Sequence, residues 1–259
     1  MKNVKYYAGL FDADGSFGLG LNKVDDDKYR VQLEATLYQK DDYNNVLSTL
    51  ADVFDVDVTV VGNVKSVRLR GNKAMRFMEQ VKNHLVIKRA LVEWLLPLKN
   101  TYYTKDELVN LKQQQTAKRS QLFVVKPFPS RQWFAGYFDG DGCISSSFRK
   151  VDGNLEFKFS VVSHVSQASG LELLNKYYKG FITQQGDTLR WNFSLGQSKA
   201  EQILPILSKH CVIKKAQVGF ALGVIRSGRH FKKNGATYES NFELHKKLQT
   251  LKQVPATTD

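Results

Sequence analysis

The chain has 259 residues, 42% of them hydrophobic and 12% aromatic, with a formal net charge of +13. This length gives one large domain or two ordinary ones, the composition excludes a disordered tail, and the basic surplus points to a polyanionic partner, nucleic acid first. Two cysteines, Cys143 and Cys211, exclude a disulfide framework and an all-cysteine zinc site, and no run reaches the ~18 apolar residues of a membrane span.

The first predicted element is an apolar helix that runs into Tyr7–Phe17, YAGLFDADGSF. A short strand and a polar turn follow, then a strand with period two. In that strand Val31, Leu33, Ala35 and Leu37 face one way, and Arg30, Gln32, Glu34, Thr36 and Tyr38 the other. Val46, Leu47, Leu50, Val53 and Phe54 have helical spacing. A hairpin turns at Gly62-Asn63, and its second strand sets Val67 and Leu69 against Ser66, Arg68 and Arg70. A helix over Ala74–Leu98, broken near Asn83, carries HLVIKRA at 84–90.

Between the halves runs Asn100 to Gln132, in which Lys112–Arg119 is polar and basic. It reads as a linker with some helix before it, closed by Pro127 and Pro129, with Ser130 as a helix N-cap. The same order of signals then returns. Residues 134–144 read FAGYFDGDGCI, and Asp141 lies 127 positions after Asp14. Leu155, Phe157, Phe159 and Val161 alternate with Glu156, Lys158 and Ser160; Leu171, Leu174 and Tyr178 have helical spacing. A hairpin at Gly186-Asp187 leads to Leu189, Trp191, Phe193 and Leu195, which alternate with Arg190, Asn192 and Ser194. One helix is expected over Lys199–Val224, carrying HCVIKKA at 210–216. A basic stretch (Arg229, Lys232, Lys233) and an amphipathic segment near Phe242–Leu251 end the chain.

The expected fold is α+β: two pseudo-symmetric αββαββα repeats whose antiparallel sheets each leave a polar face open. The boundaries are 1–105 for the first repeat, 106–129 for the linker and 130–259 for the second repeat with its basic extension. Gly9 and Ala13, like Gly136 and Gly140, are four apart, so each motif helix has a small face where two backbones can approach closely. Crossing there brings Asp14 beside Asp141. Adjacent carboxylates repel unless a cation lies between them, and oxygen ligands favour magnesium. Asp12 and Asp139 read instead as structural ties at the helix ends.

On these residues the chain resembles the LAGLIDADG homing endonucleases, in the single-chain form with two motif copies. The resemblance implies a monomer with internal twofold symmetry, its sheets forming a saddle on double-stranded DNA. It implies two or three Mg2+ ions held by Asp14 and Asp141 with the carbonyls of Ala13 and Gly140. Lys88 and Lys214 would organise the catalytic water or stabilise charge at the scissile phosphate, and Gln39 would stand beside that water. Ser163 is the second-repeat counterpart of Gln39 by strand matching, with Gln167 and His164 as alternatives. The polar faces would contact DNA through Lys28, Arg30, Gln32, Glu34, Tyr38, Lys40, Arg68 and Arg70, and through Ser145, Ser147, Arg149, Lys158, Arg190, Asn192 and Ser194. One helical turn per half gives a target of roughly 20 base pairs, and unlike residues at equivalent positions make it non-palindromic.

The expected reaction is hydrolysis of both strands, as in intron or intein homing. The alternatives are an RNA maturase or a non-cleaving DNA-binding protein of the same fold. The family also suggests an organelle-encoded protein, consistent with a motif that begins too near the N-terminus to leave room for a targeting peptide.

Overall fold

Period-two alternation lays down two antiparallel sheets in the computed structural model, which describes residues 1, 3–40, 45–119, 130–149, 151, 153–194, 197–228 and 236–253. The first repeat runs α1 (Val4–Ala13), β1 (Gly15–Lys23), β2 (Lys28–Gln39), α2 (Val46–Phe54), β3 (Val58–Val61), β4 (Val64–Arg70), α3 (Asn72–Val81), α4 (Arg89–Leu95), β5 (Tyr102–Thr104) and α5 (Lys105–Arg119). The second runs α6 (Arg131–Asp141), β6 (Gly142–Phe148), β7 (Leu155–His164), α7 (Ser169–Tyr178), β8 (Phe181–Gln185), β9 (Thr188–Ser194), α8 (Gln197–His210), α9 (Lys215–Ser227) and α10 (Tyr238–Gln253). Strand orders are β1-β2-β4-β3, with β5 also on β2, and β6-β7-β9-β8. Both hairpins close through two residues, with Gly62 and Gly186 at positive φ, which glycine adopts without Cβ strain.

The sheets are built in matching register. Gly15 lies opposite Leu37 in the first, and Gly142 opposite Val161 in the second. The expected apolar residues of β2 and β7 are all buried. The main apolar core spans both halves, with α1 and α6 at its centre. Phe11 packs on Phe77 at 4.5 Å between ring centres, and Phe138 on Phe159 at the same distance. Ser130 caps α6 by accepting from the Trp133 amide at 3.1 Å.

Each repeat carries more helix than αββαββα. The segment expected as one helix over Lys199–Val224 is two, α8 and α9, separated at Cys211–Lys214. The first repeat breaks at the matching place, Leu85–Lys88. A buried carboxylate causes each break, because it takes the backbone amides that a continuous helix would use.

A third helix follows in each repeat. The stretch 106–119 belongs to α5, whose Leu108 and Leu111 are buried with Val31 and pack beside Tyr29 and Trp94. In α10, Tyr238 and Phe242 pack on Phe148, at 4.9 and 5.5 Å between ring centres. Also in α10, His245 hydrogen-bonds Ser146 at 2.8 Å, and buried Asn241 donates to the Gly153 carbonyl at 2.8 Å. Pro127, Pro129, Leu195, Arg229, Lys232 and Lys233 lie outside the described residues.

Candidate active site

Missing side chains set the helix crossing. A Cβ on Gly9 would stand 1.9 Å from the Trp133 carbonyl oxygen, and one on Gly136 would stand 2.0 Å from that of Tyr6. No other residue lets α1 and α6 approach this closely. At the bottom of the crossing, a Cβ on Gly140 would lie 2.3 Å from the Ala13 Cβ and 3.2 Å from Asp14 Oδ2. The ends of the two motif helices, and their last acids, therefore meet.

Asp12 and Asp139 hold these ends in place. The Asp12 carboxylate accepts the amides of Val86, Ile87 and Lys88 at 2.7–3.2 Å and the Trp133 indole N–H at 2.8 Å. Asp139 accepts the amides of Val212, Ile213 and Lys214 at 2.7–3.0 Å and the Tyr6 hydroxyl at 2.8 Å. Each acid thus orders its own repeat's lysine-bearing turn and takes one donor from the opposite motif helix. Tyr6 and Trp133 are not prominent in the sequence, although they too stand 127 positions apart.

The lysines are neither solvated nor free to wander. Lys88 Nζ donates to the carbonyls of Phe11, Ala13 and Gly15 at 2.6, 3.2 and 2.6 Å. Lys214 Nζ donates to those of Phe138, Asp139 and Gly140 at 2.9, 2.5 and 2.9 Å. Burial lowers the pKa of both, against the pull of Asp12, Asp141 and Asp14 on Lys88 and of Asp139 and Asp14 on Lys214. The ammonium groups thus already contact the Ala13 and Gly140 carbonyls that the family resemblance implies as metal ligands.

Burial also raises the pKa of both motif acids. Asp14 is moved back down by a 3.0 Å hydrogen bond from Gln39 and by Lys214 and Lys88. Asp141 is pushed to about 7 by burial and then by the charge on Asp14, against the two lysines. A centre of two carboxylates and neighbouring carbonyls, reluctant to be ionised together, fits a hard divalent cation. Among the described residues no group of three or more His, Cys, Asp or Glu side chains is placed to hold a metal ion.

Register makes Ser163 the positional equivalent of Gln39. Val161, two residues before it, pairs with Gly142 as Leu37 pairs with Gly15. Its hydroxyl, however, has the carbonyls of His164 and Gln167 within reach, at 3.4 and 3.3 Å, and its one proton goes to one or the other. Gln167 instead lines a cavity beside Ala13 and Lys88. His164 bonds Ser166 at 2.7 Å.

A family model described as LAGLIDADG endonuclease matches residues 7–92 and 134–223, one copy on each repeat. The chain belongs to the LAGLIDADG endonuclease family. Solved structures share its fold. One is the LAGLIDADG meganuclease I-AabMI bound to uncleaved DNA, with a TM-score of 0.69 and 16% identity over 95% of this chain and 98% of that one. I-SmaMI bound to uncleaved DNA target in the presence of calcium ions gives 0.71 and 19%, over 96% and 98%. The homing endonuclease I-GzeII in complex with its DNA target gives 0.70 and 15%, over 94% and 97%. No curated protein sequence matches the chain significantly.

The open faces of the two LAGLIDADG repeats gather most of the expected contact residues. Register puts Lys28, Arg30, Gln32, Glu34 and Tyr38 on one face with Arg68 and Arg70. Ser145, Ser147, Lys158, Arg190 and Asn192 share the other; the side chain of Ser194 lies outside the described ones. Lys40 lies exposed just past β2.

Several of these groups are paired within the protein: Arg70 with Glu34 at 3.0 Å, Arg68 with Tyr38 at 3.4 Å, Arg149 with Glu156 at 3.1 Å, and Asn192 with Thr183 at 3.1 Å. Arg30 is half-buried and donates to Asn100 at 2.9 Å. The same faces carry residues the sequence reading did not single out as contacts, including Ser16 opposite Thr36 and Thr183 opposite Arg190.

Proposed function

We propose that this chain is a site-specific endonuclease that cuts both strands of a long, non-palindromic DNA duplex of roughly 20 base pairs by metal-dependent hydrolysis. We assign it to the intron or intein homing type, acting as a monomer. The observation that carries this reading is the meeting of Asp14 and Asp141, one acid from each repeat, at the Gly140 contact. Family membership and the DNA bound in the solved relatives support it.

Asp14 and Asp141, with the carbonyls of Ala13 and Gly140, would hold Mg2+; the calcium ions with I-SmaMI are consistent with a hard-cation site in this fold. A bound divalent cation supplies electrophilic stabilisation of the phosphate and the leaving oxygen. Gln39 fixes the orientation of Asp14 through its 3.0 Å hydrogen bond. Lys88 and Lys214 neutralise the carbonyl-rich helix ends and keep positive potential beside the acids, so both can ionise when an anionic phosphate and a cation arrive together. Asp12 and Asp139 position those lysines. The paired face residues, such as Arg70 with Glu34, are pre-oriented and exchange partners for base edges in the major groove.

The test is cleavage of a randomised or genomic DNA pool with Mg2+ or with EDTA, followed by sequencing of the cut ends. A unique, asymmetric site cut on both strands only with Mg2+ is the expected outcome. Binding to a unique site without cleavage would move the chain to the non-cleaving reading.

A further inference from the structure

A cavity of about 320 Å3 opens beside the first motif end, lined by Ala13, Gly15 and Lys88, by Lys118 and Arg119 from the last turn of α5, and by Gln167 from the other repeat. Its cationic wall is unusual in origin. Lys88 already places its three donors on protein carbonyls, and an ammonium has three. Arg119 is exposed and lines the same cavity as Lys88. Three like charges, Lys88, Lys118 and Arg119, held beside one cavity call for an anion.

The side chains of α5 reach β1 at Gly18, where a Cβ would stand 3.3 Å from Gln115 Nε2 and 3.9 Å from Arg119 Nη2. A guanidinium presents a planar fork that matches two phosphate oxygens. The repeats differ here, because α10 ends in Lys252-Gln253 where α5 ends in Lys118-Arg119.

We propose that Arg119 contacts the phosphate cleaved beside Lys88, and so serves one DNA strand and not the other. This rests on the nuclease reading and assigns to α5 a part in the reaction that the motif does not contain. The competing account is purely local: a basic residue in a last helical turn complements the helix dipole.

The experiment uses the full chain and its selected target, with each strand end-labelled separately, under single-turnover conditions with Mg2+. Arg119→Ala should slow cleavage of one strand by roughly tenfold, at or below the low end of what losing a charged transition-state contact costs. The other strand should keep its rate, so nicked duplex accumulates. Affinity measured with Ca2+ should change by less than about threefold, since one phosphate contact among many is lost. Arg119→Lys should restore part of the rate, and Lys112→Ala, an exposed charge on the same helix, should leave both strands unaffected. Equal rates on both strands in Arg119→Ala, whether unchanged or slowed together, would overturn the proposal. Failure of the unsubstituted protein to cut either strand would instead sink the nuclease reading.

Discussion

Asp141 holds its proton to about pH 7 because it is buried and faces the charge of Asp14. Two consequences have opposite senses. Between about pH 4 and 7 the folded, metal-free protein binds more protons than the unfolded chain, so its stability falls as pH rises through that window. Asp141→Asn should flatten that fall in a urea-unfolding series. Cation binding must displace the same proton, so Mg2+ or Ca2+ affinity should drop by up to about tenfold per pH unit below 7, with proton release visible by calorimetry in buffers of different ionisation heat. An affinity indifferent to pH between 5 and 7 would remove Asp141 from the cation site. Neither the raised pKa nor the burial of Lys88 could be read from the sequence, since each depends on neighbours 70 or more positions away.

At the scale of elements, the crossing of α1 and α6 depends on the absence of two side chains. Gly9→Ala should lower stability by at least ~1–3 kcal/mol, because its Cβ has no space against the Trp133 carbonyl and the helices must part. Gly219→Ala in α9, where a Cβ meets nothing within 4 Å, should instead stabilise by ~0.5–1 kcal/mol. Unfolding midpoints of the two variants give the comparison directly. If Gly9→Ala were neutral, the close approach would not be what orders the site.

Strands were the most legible elements, because period two leaves Val31 to Leu37 and Leu155 to Val161 unambiguous. The motif helices were legible from their small residues and paired acids. The break between α8 and α9 was hidden because its cause is Asp139, more than 70 residues earlier in the chain. The packing of α5 was hidden because only Leu108 and Leu111 of its polar sequence are buried. Ser163 occupies the strand position that Gln39 has in the first repeat, but where its hydroxyl points depends on the local turn at His164–Gln167.

For the whole molecule, the surplus of +13 and the two open faces predict binding dominated by phosphate contacts. Affinity for the selected target should fall with a log–log salt slope of about −0.9 per phosphate, a loss of ~10³ or more between 50 and 200 mM if six or more are engaged. A slope near zero in a fluorescence titration would contradict the saddle. The asymmetry of the repeats, in the residues of their faces and in the ends of α5 and α10, should appear as a target whose half-sites differ.

The central claim is that one acid from each repeat completes a single cation-dependent centre for both strands. Its most direct test is double-strand cleavage of the selected target by Asp14→Asn and Asp141→Asn, with folding and binding checked in parallel. Either substitution alone should leave both properties largely intact and reduce cleavage by about 10² or more. Full double-strand cutting by either variant would contradict a shared centre.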